Sequence, residues 1–193
     1  TAGDFTLVVA ASISIWISGV SAPSIAANGY SYIYARGGLL VGTATANVII
    51  RHQGPISIKG GMQLEIRLEG PRDWCEFYGA LIEGDEVRVY KATGANYISQ
   101  WGADYKPGTM PEDAAWDGRG KECAKGGGLN FSPTPRHTHE FVYAPAHYLE
   151  CWVKLDEMVC HFDGRFPQKI CAPRVSRTII ECDVDGNRIG EAA

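Results

Sequence analysis

The chain has no excess of positive charge, no closely spaced cysteine pair and no long apolar run. Its 18 Lys and Arg stand against 22 Asp and Glu, for a formal net charge of -4 and a pI of about 5.7. Such a surface lacks the basic field that collects phosphate backbones, which disfavours nucleic-acid binding through whole-surface electrostatics. Six cysteines occur, Cys75, Cys123, Cys151, Cys160, Cys171 and Cys182, and none forms a Cys-x-x-Cys pair. The last four are nine, eleven and eleven residues apart, with His161 beside Cys160, a pattern without the tight ligand pair of a zinc site. Asp117 and Glu122 likewise lack the spacing of a calcium loop, so no metal is expected. Three disulfides are arithmetically open, but 193 residues can bury a core without staples. Buried free thiols in a cytoplasmic protein are the preferred reading. The apolar stretch from Leu7 to Val20 is too short to span a bilayer, and Ser12, Ser14 and Ser18 interrupt it. No basic residue precedes it, as a secretory signal would require. No membrane partner is expected. The sequence opens at Thr1 rather than at a methionine, which leaves room for an upstream segment and any targeting signal it carried.

What is present is glycine, 23 residues of it, within a composition that is 45% hydrophobic and 21% charged. That balance belongs to a folded chain rather than a disordered one. Residues 5–70 read as β-structure with a loose repeat. Ile13, Ile15 and Ile17 alternate with serines, Tyr30, Tyr32 and Tyr34 with Ser31 and Ile33, and Leu64, Ile66 and Leu68 with charged residues. Val48 to Ile50 is a short apolar run, and Leu39 to Val41 and Ile56 to Ile58 are shorter ones. Gly19, Gly37, Gly54 and Gly70 follow the main segments at intervals of 18, 17 and 16 residues. The pattern predicts either a meander or an irregular β-solenoid whose rungs bury Ile, Val and Leu. With His52 its sole histidine, this part is read as a scaffold or a partner-binding face.

Gly70-Pro71-Arg72-Asp73 breaks the pattern, so the division is drawn as residues 1–72 and 73–193. Trp74 to Tyr78 is dense in aromatics and is read as covering an end of the repeat. Ala80-Leu81-Ile82 and Val87-Arg88-Val89-Tyr90 flank Glu83-Gly84-Asp85-Glu86, which predicts a hairpin. Residues 94–122 lack periodicity but hold Trp101, Tyr105 and Trp116, the composition of a functional loop. Gly126-Gly127-Gly128 then leads into Leu129, Asn130, Phe131 and Ser132, a short alternating strand stopped by Pro133 and Pro135. This is either an ordinary glycine turn or the wall of a ligand cleft. His137 to Phe141 is read as a short helix, although the spacing of His137 and His139 suits a strand edge better than a helix face. Further strands are expected at Tyr148 to Val153, Ile170 to Ala172 and Val175 to Val184.

Two resemblances follow. Trp74…Tyr78-Gly79, Val89-Tyr90-Lys91-Ala92, Tyr105-Lys106-Pro107-Gly108, Trp116-Asp117, Cys123 and Gly127 to Ser132 resemble an uncharacterised domain of phage and bacterial proteins. That domain often follows a repetitive β-rich part, and it implies no activity. The same segments are similar, more distantly, to ADP-ribosyltransferases of the poly(ADP-ribose) polymerase type. Tyr90-Lys91-Ala92-Thr93 is similar to that family's aromatic-His-Gly-Thr. Gly128-Leu129-Asn130-Phe131-Ser132 is similar to its Gly-Ile-Tyr-Phe-Ala/Ser strand, and Leu149 to Asp156 to a later strand. Ungapped counting puts Thr138 at the family's serine and Phe141 at its stacking tyrosine. Arg177 to Glu181 matches the strand that bears the catalytic glutamate.

The resemblance implies a mainly β, α+β protein: an irregular β-repeat, then a split-sheet ADP-ribosyltransferase-like domain using NAD to modify a host or self macromolecule. Breaking the nicotinamide bond develops an oxocarbenium ion at the ribose, which the carboxylate of Glu181 would stabilise. Phe141 would stack on nicotinamide, Thr138 would hydrogen-bond its carboxamide, and the backbone at Gly128 would approach the base closely. The implied cofactor contacts are Lys91, Thr93, Gly128, Asn130, Phe131, Ser132, Thr138 and Phe141. Lys91 stands where the family has histidine, a phosphate-pairing group rather than the same contact, and Asn130 replaces an aromatic. The alternatives are a non-enzymatic module that grips a protein partner, and a virion structural or decoration protein.

Overall fold

A computed structural model of the chain describes residues 6–9, 14–18, 24–27, 31–36, 40–45, 48–53, 56–65, 67–120, 127–162 and 166–190. Glu122, Cys123 and Gly126 lie outside these residues. The protein is mainly β, with one short α-helix and several small sheets, some parallel and some antiparallel. It divides into two compact units, Thr1–Glu69 and Gly70–Ala193. Among the described residues, no helix is long and apolar enough to cross a membrane.

The first unit contains β1 (Thr6–Val9), β2 (Ser14–Ser18), β3 (Ser24–Ala27), β4 (Ser31–Arg36), β5 (Leu40–Ala44), β6 (Val48–Gln53), β7 (Ile56–Lys59) and β8 (Met62–Glu65). Odd strands pair in one parallel sheet and even strands in another. The register repeats the glycine intervals: Thr6 lies opposite Ser24, Ser24 opposite Val41, and Leu40 opposite Ile56, steps of 18, 17 and 16 residues. Leu40 and Val41, from one short run, begin β5, and Ile56 to Ile58, the other, lie in β7, both strands of the odd sheet; Leu39 lies outside the described residues. Along β6, Val48, Ile50 and His52 are buried while Ile49 and Arg51 are half-buried, the two-residue period of a strand with one core face. Gly60 turns β7 into β8 at φ 88°, and a Cβ there would lie 2.2 Å from the Ala44 carbonyl oxygen.

The second unit opens with α1 (Pro71–Tyr78). Gly70, Pro71 and Asp73 read as a break in the sequence, and they are the helix start. Gly70 is the N-cap, Pro71 occupies the first turn, and the Gly70 N–H donates to the Asp73 carboxylate at 2.8 Å. Gly79 closes the helix in the left-handed conformation, φ 69°. Trp74, Cys75, Phe77 and Tyr78 bury one face, and the Trp74 indole donates to the Pro167 carbonyl at 3.0 Å. The aromatic-dense segment Trp74 to Tyr78 is thus part of a helix that packs within the second unit.

Two antiparallel sheets follow. The first is ordered β15 (Ile180–Cys182), β12 (His147–Lys154), β10 (Glu86–Thr93), β9 (Ile82–Glu83), and the second β11 (Leu129–Phe131), β14 (Ile170–Ala172), β13 (Val159–Cys160). The β9–β10 hairpin turns at Gly84-Asp85, as its turn residues predict. One bridge joins the sheets: Tyr90 N–H donates to Ser132 O at 2.8 Å and Ser132 N–H to Tyr90 O at 2.9 Å. Of the predicted strand from Val175 to Val184, only the segment that pairs with β12 is strand. The earlier part instead stitches the long loop into place, with Val175 N–H donating to Pro111 O, Ile179 N–H to Thr109 O and Gly108 N–H to Ile179 O. Residues Arg136–Glu140 form a 3-10 helix, so His137 and His139 lie on neither a strand edge nor an α-helix face.

Candidate functional site

A cavity of about 460 Å³ opens where β10 and β11 part beyond the Tyr90–Ser132 bridge. Its wall includes Lys91, Thr93, Gly128, Asn130, Phe131, Ser132, Thr138 and Phe141, all eight residues singled out as cofactor contacts. Glu181 is not in that wall.

Each position follows from local chain geometry. Lys91 and Thr93 are two apart on β10 and share a face. The Lys91 ammonium donates to Asn130 O at 3.0 Å, stands 5.2 Å from the centre of the Tyr105 ring, and so ties β11 to β10. Thr93 is 2% exposed, and its hydroxyl has no hydrogen-bond partner among the described residues. Such a group costs about 1–3 kcal/mol when left unpaired. Gly128 sits at φ 89°; a Cβ there would meet the Trp116 ring at 2.3 Å and the Ala172 carbonyl oxygen at 2.9 Å. Its N–H donates to the Asp113 carboxylate at 3.0 Å. The Asn130 amide donates to Gly128 O at 3.2 Å and accepts from the Cys171 thiol at 3.2 Å. The Thr138 hydroxyl donates to Pro135 O at 2.5 Å, which leaves its oxygen as an acceptor for an N–H. Phe141 meets Phe166 edge-on at 5.0 Å, with the Lys169 ammonium 5.4 Å away. Lys169 is 2% exposed and also lines the cavity.

The loop at 94–122, read as functional but with no residue of it assigned a contact, supplies the other half of the wall. Ile98, Ser99, Gln100, Trp101, Gly102 and Ala103 close one side. Trp101 is 49% exposed and Ile98 39%, so apolar surface faces the opening. The three loop aromatics divide their work: Trp101 lines the cavity, Tyr105 is buried against Phe131 at 6.2 Å, and Trp116 packs on Gly128. Lys169 carries no local signal, because its place depends on the fold alone.

Glu181 engages elsewhere. One carboxylate oxygen accepts from the Tyr97 hydroxyl at 3.1 Å and the other lies 2.6 Å from His147 Nδ1. The Tyr97 and His147 rings stack at 3.9 Å. His147 and Tyr97 had no mark in the sequence. His139 is exposed and stacks on Tyr148. His137 is half-buried against Tyr78, and burial pushes its pKa down to about 4.

Burial raises the pKa of Tyr90 and of Tyr105, so both phenols stay neutral. Cys75, Cys151, Cys160, Cys171 and Cys182 form no disulfide. Burial pushes Cys75 and Cys182 up to about 12 and raises Cys151 and Cys160 as well, which makes them poor nucleophiles. Among the described residues no group of three His, Cys, Asp or Glu side chains could hold a metal ion. Comparison with protein-family models, curated proteins and solved structures finds no match to this chain.

Proposed function

We propose that residues 70–193 form an ADP-ribosyltransferase-like unit that holds NAD in the cavity between β10 and β11. The convergence of Lys91, Thr93, Gly128, Asn130, Phe131, Ser132, Thr138 and Phe141 on one cavity carries this reading. A volume of about 460 Å³ falls within the roughly 300–1,000 Å³ of small-molecule sites. Lys91 and Lys169 supply positive charge for a pyrophosphate, Trp101 and Phe141 supply faces for planar rings, and the Thr93 hydroxyl supplies a buried polar group that needs a partner. The division into two small sheets around the cavity supports a split-sheet fold for this unit. The alternation of odd and even parallel strands, in steps of 18, 17 and 16 residues in the odd sheet and 18, 17 and 13 in the even one, supports an irregular β-solenoid scaffold in residues 1–69.

A second reading, a cleft that binds nucleotide without turning it over, is favoured by the engagement of both Glu181 oxygens. The test is to incubate the protein and its Glu181→Gln variant with NAD and a cell lysate. Bound NAD, free nicotinamide and mass shifts of protein and nucleic acid are then measured. Binding with nicotinamide release that disappears in the variant supports transferase chemistry. Binding without release supports the second reading. Absence of NAD binding by folded protein removes both.

A further inference from the structure

The cavity's missing wall and the displaced carboxylate belong together. Residues 97–105 form a small flap: Ile98 bridges Asp104, Ser99 N–H donates to Ala103 O at 2.9 Å, and Tyr105 N–H donates to Tyr97 O at 2.9 Å. Its tip, Ser99 to Ala103, lines the cavity. Its base is fixed at two points. Tyr105, 1% exposed, is anchored in the core. Tyr97 is held through its backbone, whose N–H donates to Gly94 O at 3.2 Å, and through its ring, by the His147 stack and the Glu181 hydrogen bond. The Tyr97 backbone is left-handed, φ 60°, a conformation that costs a non-glycine residue about 1–2 kcal/mol and persists where surrounding contacts over-determine it.

The two partners of Tyr97 are set by the sheet that builds the cavity. His147 begins β12 directly opposite Thr93, and Glu181 lies on β15 opposite Leu149. Ala146 N–H donates to Thr93 O at 2.9 Å. The same strand ends therefore position the cavity's Thr93 and the fixing point of the flap.

We propose that Tyr97, His147 and Glu181 form a latch that holds the 97–105 flap against the cavity, so that Glu181 serves the ligand site as a positioning residue. With the ring released, Tyr97 relaxes out of its left-handed conformation. Its carbonyl then turns away from Tyr105, and the flap loses its orientation. The effect on ligand binding rests on the nucleotide reading above, whereas the latch itself does not.

Amide hydrogen exchange, read by NMR on the full chain without nucleotide, tests the latch in Tyr97→Phe, Glu181→Ala and the double variant. Tyr97→Phe keeps the carboxylate and the ring stack and removes only the hydroxyl. The expected result is Tyr105 amide exchange about tenfold faster in each single variant, from loss of a hydrogen bond to a charged group, with the Tyr90 and Ser132 amides unchanged. The double variant should be no faster than Glu181→Ala alone, because without the carboxylate the Tyr97 hydroxyl has no latch contact left to lose. Unchanged Tyr105 exchange, acceleration shared by Tyr90 and Ser132, or effects that multiply in the double variant would each overturn the latch. A second arm measures NAD dissociation, expected to be several-fold faster in both single variants. If the wild-type protein binds no NAD, the nucleotide reading fails while the exchange arm still decides the latch.

Discussion

The first unit repeats and the second does not, and that difference governs what each can do. In the first, parallel strands step along the sequence at nearly constant intervals, and alternate residues of β6 go to the core. Each strand answers its neighbours, and the result is two parallel four-stranded sheets. In the second, β10 and β11 are joined by the Tyr90–Ser132 bridge and the Lys91–Asn130 hydrogen bond rather than by a continuous ladder, and the cavity beside them is walled by segments far apart in sequence. A cavity of this kind needs exceptions to regularity: a glycine where a Cβ cannot fit, a buried hydroxyl without a partner, a tyrosine in a left-handed turn.

The largest effect expected on the second unit comes from its core. Trp74→Ala removes a fully buried side chain and should destabilise the unit by about 3–5 kcal/mol, measured by urea unfolding. Acid sharpens the contrast next. His137 has its pKa depressed by burial from 6.5 to about 4, so the unfolded chain takes up the proton first as pH falls. Stability held above pH 6.5 is lost progressively between about 6.5 and 4, by no more than about 3 kcal/mol. His137→Gln should flatten the dependence of the unfolding midpoint across that window.

How much of this was legible beforehand divides along the same line. The glycine intervals of the first unit reappear as the register of its odd-strand sheet, because regular pairing is written locally. The segments Leu129 to Phe131 and Ile170 to Ala172 were legible as strands for the same reason. The helix at Pro71 was not: Gly70, Pro71 and Asp73 signal a helix start as readily as a break, and eight residues give periodicity little to work with. The eight cleft residues came from motif likeness. The flap, Lys169 and the His147–Tyr97 pair depend on contacts across tens of residues, which no local pattern encodes.

Two glycines compare the units directly. Gly60 and Gly128 both have φ near 90°, and a Cβ at either meets a backbone oxygen within 3 Å. Alanine should cost about 1–3 kcal/mol at each site, measured by thermal unfolding. Gly128→Ala should also weaken NAD binding, since Trp116 or β14 must shift, while Gly60→Ala should leave binding intact. The smallest effect on stability, and the most telling, is expected from Thr93→Val. Losing an unpartnered hydroxyl should leave stability unchanged or raise it by about 1 kcal/mol, yet weaken NAD about tenfold. Calorimetry and titration on the same samples would detect these opposite signs.

The most direct measurement is NAD titrated into isotope-labelled protein, with the perturbed amides mapped by NMR. The account predicts saturable shifts confined to the cavity-wall segments, residues 90–94, 98–105, 112–113, 128–132, 138–142 and 169. Absence of shifts at millimolar NAD, or shifts that avoid these segments, would contradict it.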